Sequence, residues 1–218
     1  MIDSIGRRIC ICMHELLSKI HRNLSIVRKV AYFLNESSLL QLYHSLIMSH
    51  IRYGIMVWYN GHIALRKKIQ ACANKFLRLI FSLDRRASVK NIMKEKKLLS
   101  VNQIFHLEIS KFMQRVALKS IPKPFQQIFV SQIRTTHMRT RSSSFIFQGY
   151  SGSTKCKQAI RIQGPVIWNR IPERVKMNSL SQGTSSTRWE NGVQRDFLPM
   201  TSFSASIKEY VLDKIDFI

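Results

Sequence analysis

The sequence predicts a mainly α protein: a helical bundle followed by a small α+β segment with a β-hairpin. Three observations carry this. Apolar residues recur at every third or fourth position over most of the first 119 residues. Two Ser-x-x-Gln signatures stand where helices should begin, and short β-prone runs separated by a turn-rich stretch follow Pro122 and Pro124.

The first helix is expected over residues 7–33, where Ile9, Met13, Leu16, Leu17, Ile20, Leu24, Val27, Ala31 and Leu34 keep the helical period. Residues 35–38 break the pattern. Ser38 with Gln41 reads as a capping box for a second helix carrying Leu39, Leu42, Tyr43, Leu46, Ile47, Tyr53 and Val57. Asn60-Gly61 should close that helix, because both residues tolerate the left-handed conformation.

In the third helix Leu65, Ile69, Cys72, Ala73, Phe76 and Ile80 share one arc at about 100° per residue, with Lys67, Lys68, Lys75 and Arg78 on the opposite arc. No acidic residue interleaves these cations between Ile63 and Leu83. A short basic helix around 89–97 precedes Ser100 and Gln103, the second capping box, ahead of Val101, Phe105, Ile109, Phe112 and Val116. Pro122 and Pro124 end that helix, since proline lacks the amide donor.

Beyond the prolines, Phe145 to Phe147 and Ala159 to Ile162 are short β-prone runs separated by the turn-rich stretch 149–153, which reads as a hairpin. Residues 178–199 have no period and are rich in Ser, Gly, Asn and Thr. A last amphipathic helix carries Phe203, Ile207, Tyr210 and Val211. The expected organisation is a helical bundle at 1–84, linking helices at 85–121, a basic segment with the hairpin at 122–178, and a polar loop with a terminal helix at 179–218.

Charge narrows the function. Thirty-five Lys and Arg against twelve Asp and Glu give a net charge of +23 over 218 residues. Such a surface calls for a polyanion, and a phosphate backbone is the commonest one, because its neutralisation releases condensed counterions. The excess is uneven: 18 basic and 5 acidic residues lie in 1–100, 13 and 2 in 101–180, 4 and 5 in 181–218. The polyanion-facing surface should therefore end near residue 180. No apolar run approaches the roughly 18 residues of a membrane span, and no signal-peptide core follows the start, so the expectation is an intracellular protein without a membrane role. Residues 7–30 are Arg-rich as in mitochondrial transit peptides, but Asp3 and Glu15 argue against that.

Catalytic and metal chemistry finds little footing. Cys10, Cys12, Cys72 and Cys156 are too scattered for a disulfide framework. Cys10, Cys12 and His14 have no second ligand pair at finger-like spacing, and no metal site is expected. His14 and His137 have no convergent carboxylate, and Ser142 to Ser144 lack a glycine-flanked elbow. The aromatics Trp58, Trp168, Tyr53 and Phe147 are expected in the core rather than stacked on bases.

Two stretches resemble the end of LINE-type (non-LTR) retrotransposon reverse transcriptases of the jockey-like and CR1-like kind. The first is Ser37 to Phe81, where Tyr43, Ser45, Leu46, Ile47, Tyr53, Gly54, Val57 and Trp58 stand in the places of a helix ending in Tyr-Gly, then aliphatic, then Val-Trp, ahead of a Lys-Arg-rich amphipathic helix. The second is Arg139 to Pro172, where Arg141, Gly164, Pro165, Trp168, Asn169 and Pro172 stand in the Thr-Arg-Ser, Gly-Pro, Trp-Asn and Leu-Pro patterns. The resemblance implies a thumb-like bundle that grips template and primer, RNA or DNA, without sequence specificity.

It also implies departures. Such polymerases hold two Mg²⁺ ions on an adjacent aspartate pair, and Asp3, Asp84, Asp196, Asp213 and Asp216 are all isolated. Fingers and palm are then expected upstream of Met1, Mg²⁺ only in that missing palm, and no cofactor and no polymerisation by this chain alone. The stretch from Asn178 to Met200 departs from the family as an insertion or a damaged region. Phosphate contacts are expected from Lys67, Lys68, Lys75, Arg78, Arg139 and Arg141, in the nucleus or cytoplasm. A free-standing organellar or ribosomal RNA-binding structural protein is the alternative of equal charge and size, and an inert fragment is a third reading.

Overall fold

The computed structural model describes residues 2–118, 120–122, 125, 129, 159–180 and 200–214. Its elements are helices α1 (Ile2–Val30), α2 (Glu36–Leu42), a π-helical segment (Tyr43–Met48), α3 (Ser49–Arg52), α4 (Ile55–Trp58), α5 (Ile63–Ile80), α6 (Lys90–Glu95), α7 (Val101–Ala117), α8 (Ile160–Arg170), α9 (Glu173–Leu180) and α10 (Met200–Lys214). Contacts divide the chain into two compact units, the first reaching Phe105 and the second beginning at His106, within α7.

In the first unit the apolar stripe of α1, with Met13, Ile20, Leu24 and Val27 buried, packs chiefly on α5 and also on α3, α4 and the π segment. The α5 stripe was legible: Leu65, Ile69, Cys72, Ala73, Phe76 and Ile80 are all buried, joined by Leu77. The single helix expected over 39–57 is instead four pieces. The π segment widens the coil at Tyr43, whose ring lies 5.5 Å from that of Phe76, and burial pushes its phenol well above the usual range.

The run does stop at Asn60-Gly61, between Trp58 and Ile63, though neither residue is left-handed, and a further break falls at Gly54. Gly54 has φ +62°, a left-handed conformation costly for any residue with a Cβ. Gly61 serves a different purpose, close approach: a Cβ there would lie 2.6 Å from Ile9 Cγ2 and 3.1 Å from the Trp58 carbonyl.

Capping went one way at each site. Asn35, not Ser38, caps α2: its Oδ1 accepts from the Ser38 backbone N–H at 2.9 Å. At α7 the expected box forms, with the Ser100 N–H donating to Gln103 Oε1 at 2.9 Å and the Gln103 N–H to Ser100 Oγ at 3.3 Å. The Val101 N–H, otherwise an orphan of the first turn, donates to Gln70 Oε1 of α5 at 2.8 Å and ties α7 to the bundle. Tyr59 adds a second tie, stacking on Phe105 with ring centroids 4.0 Å apart and donating its hydroxyl to Asn102 Oδ1 at 2.6 Å. Residues 85–105 therefore pack with the bundle as part of the first unit.

In the second unit the expected second strand, Ala159 to Ile162, is the start of α8, and the described residues contain no strand; the first, Phe145 to Phe147, lies outside them. Packing decides this over local β-propensity, because a helix puts Gly164 against Met113 and sends Trp168 fully inside. The terminal helix is as expected, with Phe203, Ile207 and Val211 buried on α10, which packs on α9. Tyr210 donates its hydroxyl to the Arg170 carbonyl at 3.2 Å.

Two outcomes follow from this packing. Gly54→Ala should lower stability by about 1–2 kcal/mol in urea unfolding, with Gly54→Asn less harmful. Half-buried His106 is held below the ordinary histidine range by burial, with Arg170 adding to the effect. The unfolded chain then binds the extra proton, so thermal stability should fall as pH drops through the ordinary histidine range, and His106→Gln should flatten that slope.

Candidate nucleic-acid interface

Helix α5 begins after Gly61 with no side-chain cap at His62 and contains no acidic residue. Its buried face fixes its rotation, so Lys67, Lys68 and Lys75 are exposed on the opposite arc. The acid-free environment is wider than this helix, since no Asp or Glu occurs from Ser37 to Leu83. Three ammonium groups thus stand on one rigid helical face without a carboxylate on the same stretch of chain. Lysine of this kind neutralises phosphate as a point charge, positioning a backbone without reading bases.

The remaining cations on α5 have other duties. Arg78 is half-buried, and its Nε donates to the Ala87 carbonyl at 2.9 Å, bracing the turn that follows the helix. It belongs to the fold rather than to the exposed lysine set. Arg66 lies over the Tyr59 ring, 4.3 Å from its centroid, so that guanidinium, Tyr59 and Phe105 form a stack. Burial raises the Tyr59 phenol above its usual value, with Arg66 opposing the shift. Sequence reasoning missed this stack because Tyr59 and Phe105 are far apart in the chain. Arg139 and Arg141 lie outside the described residues.

The residues that carry the family resemblance fall in two places. Trp58 is buried and donates its indole N–H to the Tyr53 carbonyl at 3.1 Å, closing the turn that Gly54 makes possible. Tyr53 itself, expected in the core, is 86% exposed. In α8, Gly164 and Pro165 are buried, and a Cβ on Gly164 would meet Met113 Sδ at 2.6 Å. Trp168 lies 6.2 Å from Phe203, ring to ring, with Asn169 half-buried beside it in the chain. Lys176 places its ammonium 5.4 Å from the Trp168 centroid, and burial pushes that ammonium down while Glu173 opposes the shift. These residues build structure in each unit.

Other reactive groups do not converge. Among the described residues no cluster of His, Cys, Asp or Glu is placed to hold a metal ion. His21 Nε2 and Cys72 Sγ lie 2.9 Å apart, joining α1 to α5, but burial pushes the Cys72 thiol up, away from a nucleophilic thiolate. No helix among the described residues is long and apolar enough to cross a membrane.

If Arg78 braces the α5–α6 turn, Arg78→Ala should lower stability by about 1–2 kcal/mol in denaturant titration. No protein-family model, no curated protein and no solved structure matches this chain.

Proposed function

We propose that this chain is the non-catalytic, carboxy-terminal portion of a LINE-type reverse transcriptase, and that its first unit binds the phosphate backbone of RNA or DNA through α5. The observation that carries the reading is the exposed lysine face of α5, Lys67, Lys68 and Lys75, in a stretch of 47 residues (37–83) that holds no acidic side chain. Unpaired lysines repel one another, and a polyanion removes that repulsion while releasing its own counterions.

The motif residues add support of a different kind. In the first stretch, Tyr53-Gly54 and Trp58 make one turn, with the Trp58 indole bonded across it. That turn delivers the chain from the π-containing run into α5. In the second, Gly164, Pro165 and Trp168 seat α8 in the second unit's core. Both motifs act as structural devices, the role a thumb and its downstream segment would need. Catalysis and its Mg²⁺ belong to an aspartate pair that this chain does not contain. Binding is nonspecific in this reading, and the setting is the nucleus or cytoplasm.

Replacing Lys67, Lys68 and Lys75 together by Glu should weaken binding to duplex and single-stranded probes alike. The slope of log affinity against log salt should fall by up to about three, roughly one per lost phosphate contact. Fluorescence anisotropy over a salt series reads both quantities. An affinity and slope equal to the wild type's would remove α5 from the interface.

A further inference from the structure

Tyr53 is a large aromatic ring left 86% exposed on a backbone that is held on both sides. Its N–H donates to the Ser49 carbonyl at 3.0 Å, and its carbonyl accepts the Trp58 indole N–H at 3.1 Å. Gly54, directly after it, turns left-handed, and its carbonyl accepts from Val57 and Trp58 at 2.8 and 3.2 Å. Buried Trp58 anchors the turn from below. Tyr53 is therefore a ring on a fixed mount. Two more exposed apolar side chains, Val57 and Ile63, at 64% and 58%, belong to the same segment.

The charge of that segment selects the occupant. Arg52, exposed and immediately before Tyr53, is followed by the α5 lysines, and every charged side chain from 37 to 83 is basic. The fold links the ring to α5 step by step: Trp58 holds Tyr53, and the next residue, Tyr59, stacks under Arg66 at the start of α5, one position before Lys67. An apolar protein surface would satisfy the ring but not the cations. A duplex would satisfy the cations but not the ring, since its bases already stack on each other. A single strand satisfies both, because any unpaired base offers a π face beside its own phosphate.

We infer that Tyr53 is a stacking platform for an unpaired base, making the first unit a binder of single-stranded nucleic acid whose phosphates lie along Lys67, Lys68 and Lys75. The inference rests on the phosphate-binding reading of α5 and adds a base contact to it. It gives no sequence preference, because stacking accepts every base.

The test uses the full chain and three labelled probes: an oligo(dT) strand, an abasic strand of the same length and a blunt duplex. Tyr53→Ala removes an exposed ring and should leave the thermal unfolding midpoint in place. It should weaken oligo(dT) binding about tenfold or more while leaving abasic and duplex affinities, and the salt slope, as in the wild type. Tyr53→Phe, which keeps the ring face, should bind oligo(dT) as the wild type does. Oligo(dT) affinity indifferent to Tyr53→Ala would overturn the stacking role, and so would an equal loss on the abasic strand. Failure of the α5 reading has its own signature: abasic-strand binding that ignores the Lys67→Glu, Lys68→Glu, Lys75→Glu variant.

Discussion

The packing of α1 on α5 is the contact on which the first unit depends. Both stripes are apolar, and each helix needs the other to bury its own, because helical stability in a protein comes mostly from packing an amphipathic face rather than from propensity. That contact sets the rotation of α5 about its axis. Rotation in turn decides which side chains face outward, so the lysine face is a consequence of where Leu65, Ile69, Phe76 and Ile80 are buried. The close approach at Gly61, where a Cβ would strike Ile9, shows how tightly the connection into α5 is fitted against α1.

The helical period made α1, α5, α7 and α10 legible, because their stripes are long enough for the pattern to outweigh local irregularity. The run from Leu39 to Val57 was not, since an apolar period looks the same whether the helix is continuous or interrupted. What interrupts it is a widened turn at Tyr43 and a left-handed Gly54, and neither changes the spacing of apolar residues enough to show. The Ser38 capping signal failed for a simple reason. Asn35, three residues earlier, offers an equally good acceptor and starts the helix sooner, leaving Ser38 inside it. The strand expected at Ala159 to Ile162 failed because β-branched residues in a short run cannot declare their period, and Trp168 and Gly164 downstream decide it through tertiary contact.

For the candidate site, the signal was clearest where it came from a single element. Lys67, Lys68 and Lys75 share a helix, so their common exposure follows from the period alone. Arg78 lies on the same arc yet bonds the Ala87 carbonyl, which depends on a turn whose path the helix period does not describe. Arg66 and Tyr53 were hidden for related reasons. Arg66 is fixed by Tyr59, stacked in turn on Phe105, and Tyr53 is turned outward by the Gly54 break that the period concealed.

The electrostatics of the unit join its fold to the proposed phosphate-binding role. In the first unit Lys96 pairs with Glu36 at 3.0 Å, both well exposed, and pairs of that kind contribute little. The positive charge on α5 is thus not balanced within the unit, and it opposes the compact state. The apolar α1–α5 contact has to exceed that opposition, because it holds the lysines on one side of a rigid helix. A polyanion laid along that side relieves the repulsion only in the folded state, where the lysines are aligned, so by mass action its binding also stabilises the fold. The surface most costly to keep in isolation is in this sense the surface best prepared for a phosphate backbone.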